Sequence, residues 1–558
     1  MGPDLVMGLA RTFTLRHIPA FARPASFQEQ SQEVGRPWAP LANSVFRALW
    51  IASLASNFGT WMQNIGAGWL MTELNSSPLY VALVQTATSL PVFLIGIPAG
   101  VAADLFDRRR LLIFTQAFMA LAAGLLGWLT FIGKASPIVL LLTTFALGVG
   151  STLNNPAWQA MLPEIVPRRD LPQAISLNSV GFNLARAVGP AIGGFLIAAL
   201  NPGFVFVLNA VSFVGVIMVL FQWKRAPKTQ SSTLNESIVS ATWAGLRYVR
   251  YSPGIRAVLV RSGTFIIGGS AIWAILPTFT QSDLHSTATG YGILLGCLGI
   301  GAMIGALLLA KFRLRFSPDQ LLIFAAAIWG LVTALLGWLD YFPLAAIAML
   351  AGGVAWVTET SSFNVVAQTV LPAWVRARAL AAYLLVFQGG MAISSMVWGT
   401  VAERYGTRAS LLAAGITSLA SLLVAKRFPI RLGEEREVTQ STHWPEPVFT
   451  TPPDPERGPV LVQIEYDIDP ARHEEFSAAM HALGRIRLRD GAIRWGIFQD
   501  AAALNRHVES FLVENWAEHL RQHERITVAD REIEDHAKHF HRGSTAPATT
   551  HLLASEHG

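Results

Sequence analysis

Twelve apolar runs follow one another between residues 45 and 426, each separated from the next by a short polar or charged turn. Their approximate spans are 45–71, 79–103, 111–132, 137–160, 174–200, 204–223, 257–279, 288–310, 320–339, 343–369, 379–401 and 409–426. A bilayer hydrocarbon core of ~30 Å takes about 20 apolar residues per helical crossing, so each run predicts a membrane helix. The longest break, 224–256, divides the series into six plus six. Beyond Arg427 the pattern changes to a Pro-rich stretch, then to short alternating segments that predict soluble secondary structure.

Composition agrees with this pattern. Of 558 residues 52% are hydrophobic and 14% charged, a balance outside that of soluble globular domains. The single cysteine, Cys297, excludes an intrachain disulfide. A net charge of +6 does not imply a nucleic-acid partner, because the bases follow topology. If the turn holding Arg108, Arg109 and Arg110 is cytoplasmic, the inner connections carry sixteen Lys or Arg and the outer ones only Lys134, Arg404 and Arg408. The positive-inside rule then predicts that both termini are cytoplasmic. The first forty residues lack an apolar core followed by a small-residue cleavage site, so no removable signal peptide is expected.

An internal repeat supports the division into halves. Asn155-x-x-x-Gln159-x-x-Leu162-Pro163 recurs 209 residues later as Asn364-x-x-x-Gln368-x-x-Leu371-Pro372, and the same offset gives eight identities in 27 positions. It maps the fourth run onto the tenth, as duplicated six-helix halves require. Asn155 and Gln159 share a helix face, as do Asn364 and Gln368. These amides are candidates either for contact with a bound molecule or for bonds between helices, each worth about 0.6 kcal/mol. Gln63 and Asn64, mid-helix beside Trp61, are better placed to line a central cavity, and Asn183 is a further candidate.

Two ionisable residues fall deep in the apolar runs. Glu359 and Arg186 each lie twelve residues from the inner end of their helices, about 18 Å at ~1.5 Å per residue. A charge at mid-membrane costs at least ~2.5 kcal/mol, so each needs water, a partner or both. Glu359 is therefore expected to act as a proton site, or to pair with Arg186 and tie the halves together.

The turn Gly100-Val-Ala-Ala-Asp104-Leu-Phe-Asp107-Arg108-Arg109-Arg110 resembles the loop signature of the major facilitator superfamily, with Gly100, Asp104, Arg108 and Arg109 matching and Leu105 and Asp107 departing from it. The repeat places Arg313 at the position of Asp104, so the acid belongs to one half only. Gly189-Pro190-Ala191-Ile192-Gly193-Gly194 in the fifth run resembles the antiporter motif of the same superfamily. Small residues there also permit close helix packing, and proline permits a bend. Asn57 to Asn64, Ser176 to Arg186 and the C-terminal segment together resemble the bacterial subgroup that includes enterobactin-type siderophore exporters, often called transmembrane secretion effectors. The resemblance implies a proton-coupled exporter of small molecules in the bacterial inner membrane, with Asp104 and Arg108 holding neighbouring helices when the inner gate is shut.

In the C-terminal segment, Val460–Tyr466, Ile493–Phe498 and His507–Val513 read as strands, Pro470–Arg487 as a helix, and another helix begins near Trp516. The order suggests a ferredoxin-like domain and resembles the antibiotic-biosynthesis-monooxygenase-like fold, which often pairs, so dimerisation through this domain is one expectation. His519 and His523 have metal-ligand spacing but no evident third ligand, and no metal site is assigned. No P-loop, flavin loop or haem motif occurs, and no cofactor is implied.

The sequence thus predicts an all-α membrane protein of twelve transmembrane helices in two six-helix halves, the major facilitator fold, plus a small C-terminal ferredoxin-like α+β cytoplasmic domain. The expected divisions are an N-terminal tail 1–42, halves 43–223 and 257–427 around a central loop 224–256, a linker 428–457, a soluble domain 458–545 and a tail 546–558. The expected partners are small-molecule cargo, protons and the lipid bilayer. Two alternatives stay open: an enzyme or ligand sensor carried by the C-terminal domain, and an importer on the same scaffold.

Overall fold

The computed structural model describes residues 38–223, 238–430, 441, 444 and 453–554, with the backbone alone at 104, 238–242, 373 and 377. Most of the expected N-terminal tail, the start of the central loop and most of the linker lie outside the described residues, as does the side chain of Asp104.

Each apolar run is helical, and many of the starts are visible in the sequence. Ser77-Pro78, Ser136-Pro137, Asn201-Pro202, Ser252-Pro253 and Ser317-Pro318 open α2 (Pro78–Leu105), α4 (Pro137–Ile165), α6 (Pro202–Gln222), α8 (Pro253–Gly269) and α11 (Pro318–Leu336). Proline suits the first helical position, where its missing N–H would have had no partner, and a preceding Ser or Asn can cap. Asn43 caps α1 (Ser44–Leu74) by accepting from the Val45 and Phe46 amides, and Asp107 caps α3 (Arg108–Phe131) by accepting from that of Arg110. The remaining bundle helices are α5 (Leu171–Ala199), α7 (Ile238–Tyr251), α9 (Ala271–Ser282), α10 (Ala288–Arg315), α12 (Phe342–Thr369), α13 (Ala373–Tyr405) and α14 (Thr407–Arg427).

Among the described residues, eleven spans are long and apolar enough to cross a membrane. The helix α1 is longer than most of them at 31 residues, but Asn57, Thr60, Gln63 and Asn64 interrupt its apolar character and it is not among the eleven. The seventh run is one span made of two helices, α8 and α9, which meet at Ser270. The break follows Gly268, where a Cβ would lie 2.6 Å from the Ala414 carbonyl of α14, so two backbones touch there.

Within the first half α1 packs on α5 and α6, and α3 on α4 and α6; within the second, α10 packs on α12, and α11 on α12 and α14. The main pairs that join the halves are α2 with α13 and α5 with α10, and α9 also meets α1 and α2.

The C-terminal domain runs β1 (Val460–Asp467), α15 (His473–Asp490), β2 (Ala492–Gln499), β3 (Arg506–Val513), α16 (Trp516–Arg525), α17 (Val528–Lys538) and β4 (Ala548–Leu553). The strands form one antiparallel sheet in the order β2-β3-β1-β4. Alternation along β1 sends Val460, Val462, Ile464 and Tyr466 into a core with Phe476, Met480 and Leu483 of α15. The strand β4 falls in the stretch 546–558 that the sequence sets aside as a tail. It pairs with β1, Val462 opposite His551, and so belongs to the sheet. Its polar Thr-Thr-His centre hides it from a hydrophobicity reading because it is a largely exposed edge strand.

Candidate functional site: the seams between the helical halves

Small residues bring α5 and α10 together. A methyl group on Gly194 would lie 2.5 Å from the Ala288 carbonyl oxygen and 2.9 Å from the Gly292 Cα, and one on Gly299 would lie 2.6 Å from the Ala187 Cα. On its other side α5 meets α1: the Cβ of Trp61 is 2.9 Å from where a Gly189 methyl would be, and the Met62 Cα is 3.0 Å from the same point at Gly193. The predicted motif Gly189, Pro190, Gly193, Gly194 is thus a two-sided packing surface, with Gly189 and Gly193 serving the first half and Gly194 with the Pro190 carbonyl serving the seam. The matching row on α10, Gly292, Gly296 and Gly299, was missed by sequence reasoning. Its spacing of four and three on one helix face was the available signal.

The second seam is closed by α2 and α13. Ser77 Oγ donates to Glu403 Oε2 at 2.5 Å and Thr86 Oγ1 to the Ala392 carbonyl at 2.9 Å. Gly399 faces Leu79 and Ala82, and Gly389 faces the Phe93 ring. Gly68 of α1 approaches the Tyr291 hydroxyl of α10 and Pro277 of α9, and Trp69 stacks with Tyr291 at 6.4 Å. All these contacts lie from the middle of the helices to the end remote from the Arg108–Arg110 turn. Exposed apolar side chains occur along the whole length of these helices, such as Leu94, Leu184 and Leu307 towards the arginine-rich end and Phe195, Ile293 and Val397 towards the other, as helices that also face lipid require.

The signature turn acts inside the first half. Arg108 Nη1 donates to Glu164 Oε1 at 2.6 Å and to the Ala160 carbonyl, tying α3 to α4. Arg109 donates to the Leu220 and Phe221 carbonyls and so satisfies the end of α6. A Cβ on Gly100 would meet nothing within 4 Å.

The cavity candidates separate into exposed and buried residues. Gln63 is 4% exposed, and its Oε1 accepts from Asn209 Nδ2 at 2.8 Å, so it joins α1 to α6 instead of lining a cavity. Asn64 is exposed and sits one turn from Gly68, on the face of α1 that looks towards α10. Trp61 is half-buried against Phe182, 6.2 Å between ring centres. Asn155 is exposed, whereas its neighbour Asn154 accepts from Thr115 and Gln116 of α3. Asn183 donates to the Ser179 carbonyl of its own helix. Asn364 accepts from Gln368, as their shared face predicts, and both are exposed.

Glu359 and Arg186 form no ion pair in this structure, which removes the expected tie between them. Glu359 is 2% exposed and its Oε2 has no hydrogen-bond partner. It lies one turn beyond Trp356, the centre of a cluster in which Trp329, Trp273, Phe265 and Phe387 stand 4.7 to 6.0 Å away. The charge that acts on Glu359 is Arg261 of α8. Arg261 is buried mid-way along α8 and donates to Asp319 of α11; in the sequence it lies near the start of the seventh apolar run and is not singled out there. Arg186 is half-buried on α5, with its backbone carbonyl against Gly299.

In the C-terminal domain the rings of His519 and His523 are 5.0 Å apart, and no group of three or more potential metal ligands assembles among the described residues.

Eleven apolar spans in two packed halves, joined by close-packed seams, define a multi-pass membrane transporter of the major facilitator type. The chain belongs to the transmembrane secretion effector family, whose model matches residues 35–558. It is 23% identical to a staphyloferrin A transporter of Staphylococcus aureus over 374 residues, covering 66% of this chain and 91% of that protein. A multidrug efflux pump of Mycolicibacterium fortuitum, Tap, is 25% identical over 389 residues, covering 68% and 94% of the two chains. Among solved structures, a bacterial homologue of the lysosomal transporter spinster, inward-facing, superposes with a TM-score of 0.56 at 14% identity, over 70% of this chain and 98% of that one. An inward-facing bacterial homologue of the iron transporter ferroportin gives 0.54 at 14% identity, over 68% and 98%.

Proposed function

We propose that this protein is a proton-coupled exporter of a small molecule, a siderophore, secondary metabolite or drug, in the bacterial inner membrane. The reading rests on one observation above all: the close contacts that join the halves along both seams lie from mid-helix to the end remote from the arginine-rich turn. In an alternating-access transporter that is the inward-facing state, provided the arginine-rich end is cytoplasmic as the positive-inside rule requires. In this reading α1 is the twelfth crossing, its polar residues tolerated because they face protein and cavity, and both termini are cytoplasmic. The C-terminal domain, with its order β2-β3-β1-β4, is read as ferredoxin-like.

The mechanism follows from the parts. Cargo enters from the cytoplasm and meets exposed polar groups such as Asn64, Asn155 and Asn364. Glu359, buried beside the aromatic cluster with its Oε2 unbonded and Arg261 as the nearby charge, holds a proton there and releases it to the cytoplasm when water reaches it. Closure of the arginine-rich end requires α5 and α10 to part at the Gly194–Gly292 contact as the remote end opens, with Asp104 and Arg108 latching the closed face. The relatives named above, a staphyloferrin A transporter and a multidrug efflux pump, support small-molecule export.

The test uses everted membrane vesicles, acid inside, with ethidium and a citrate-type siderophore as probes. Uptake that depends on the imposed gradient and collapses with nigericin is expected. Accumulation only in right-side-out vesicles would establish the importer instead.

A further inference from the structure

The C-terminal domain carries an open cleft of about 710 Å³ between the β1-β4 side of its sheet and helices α16 and α17, flanked by Trp444 and Pro453. That is within the ~300–1,000 Å³ range of small-molecule sites. Its wall is largely apolar, with Ile464, Phe511 and Trp516 prominent. One unused donor lies in its wall behind the Trp444 and Phe511 rings, which stand 4.8 and 5.2 Å from the guanidinium: Arg487 is 2% exposed and its Nη2 has no hydrogen-bond partner. The rest of that guanidinium is engaged, Nε with Glu509 at 3.1 Å and Nη1 with Glu534 at 3.4 Å, and Lys538 also pairs with Glu534. Two cations are thus matched by two carboxylates. His519 on the same wall has Gln522 as its polar neighbour, and burial, then His523 and His551, pushes it down to about 3, so it is neutral. Burial also lowers His551.

A neutral wall gives no attraction to offset the desolvation of a full anion, whereas an unspent buried N–H costs free energy until an acceptor reaches it. The helix α16 has two faces. Trp516, His519 and His523 line the cavity, while Glu518 and Arg525 face the bundle. Glu518 accepts from Arg247 of α7 at 2.9 Å, and the Arg525 guanidinium lies 4.7 Å from the Trp374 ring of α13.

We propose that this cavity is a binding site for a neutral, mostly apolar molecule carrying a hydrogen-bond-accepting oxygen, and that α16 passes its occupancy to α7 and α13. The site stands independently of what the bundle transports.

Three probes of one shape test it on the full-length protein by calorimetry: 2-acetonaphthone, 2-ethylnaphthalene without the acceptor, and 2-naphthoate with a charge. The ketone should bind saturably and about tenfold more tightly than either of the others. Binding should vanish in Ile464→Trp, which fills the cavity, and in Thr550→Trp, placed on the exposed edge strand where added bulk leaves the core intact. Comparison with wild type separates this site from micelle partitioning or from a cargo site in the bundle. Equal binding of naphthoate, or undiminished binding in both filled variants, would overturn the site. Hydrogen exchange along Ile238–Tyr251 should slow when the ketone binds, and a bound ketone that leaves exchange unchanged would overturn the coupling.

Discussion

Gly194 of α5 and Gly292 of α10 meet backbone to backbone: a methyl on either would fall within 3.0 Å of the other's Cα. No side chain larger than hydrogen fits without moving one helix. The contact joins the two halves at the end remote from the arginine-rich turn, so it is formed in the observed state and must loosen if that end opens.

Gly292→Leu should therefore destabilise this state. Overpacking of about 1–3 kcal/mol shifts a two-state balance by roughly 5–150-fold. Crosslinking of cysteines placed at Ser77 and Glu403, which hydrogen-bond across the other seam in this state, should fall in the variant as the remote end opens.

Glu359→Gln should retain membrane expression and lose gradient-driven transport, because an amide fits the same pocket and carries no exchangeable charge. Counterflow of cargo without a gradient should survive. Normal gradient-driven export by this variant would assign proton coupling elsewhere.

Arg108→Ala should cost the fold more than the ~1 kcal/mol of an exposed pair, since Arg108 and Glu164 are each only 18% exposed and lie within one half. Asp104→Asn should slow transport more than it lowers thermal stability, because its proposed latch forms only when the arginine-rich end closes. Equal export rates in wild type and D104N would refute the latch.

Glu518→Gln should be costly. Glu518 accepts from Arg525 at 2.6 Å, Arg521 at 2.9 Å and Arg247 at 2.9 Å, and Arg525 is buried. Removing the carboxylate leaves a buried cation short of its partner, a loss of about 3–5 kcal/mol. Arg247→Ala should spare the domain but loosen its docking, seen as faster proteolysis between the bundle and residue 453.

Acidification should weaken the C-terminal domain through His519. Its folded-state value near 3 lies below the ordinary 6.5, so the unfolded chain binds the proton first. Stability is then full above about pH 6.5 and falls as pH drops towards 3, by roughly 2 kcal/mol at pH 5. Thermal unfolding of His519→Leu should show a flatter dependence over that window.

Much of the bundle is legible in the chain because hydrocarbon leaves the backbone few options. Helices must satisfy their own hydrogen bonds, so twenty-residue apolar runs bounded by Ser-Pro or Asn-Pro announce both their type and their ends. Asn364 and Gln368 could be placed on one face by spacing alone. Gln63 could not be placed: polarity marked it as functional, but whether an amide faces a cavity or Asn209 depends on a helix 146 residues away. The same holds for Glu359, whose depth follows from counting residues but whose neighbour, Arg261 rather than Arg186, does not.

The sequence by itself determined that this is a multi-pass helical protein of two duplicated halves with a small α+β domain behind them, because those features rest on local periodicity and composition. Only the tertiary structure decided which glycines form the seam, which amides are buried, that β4 closes the sheet, and that α16 serves both a cavity and the bundle. Those outcomes depend on contacts between residues far apart in the chain, where packing and desolvation choose the partner and no local pattern records the choice.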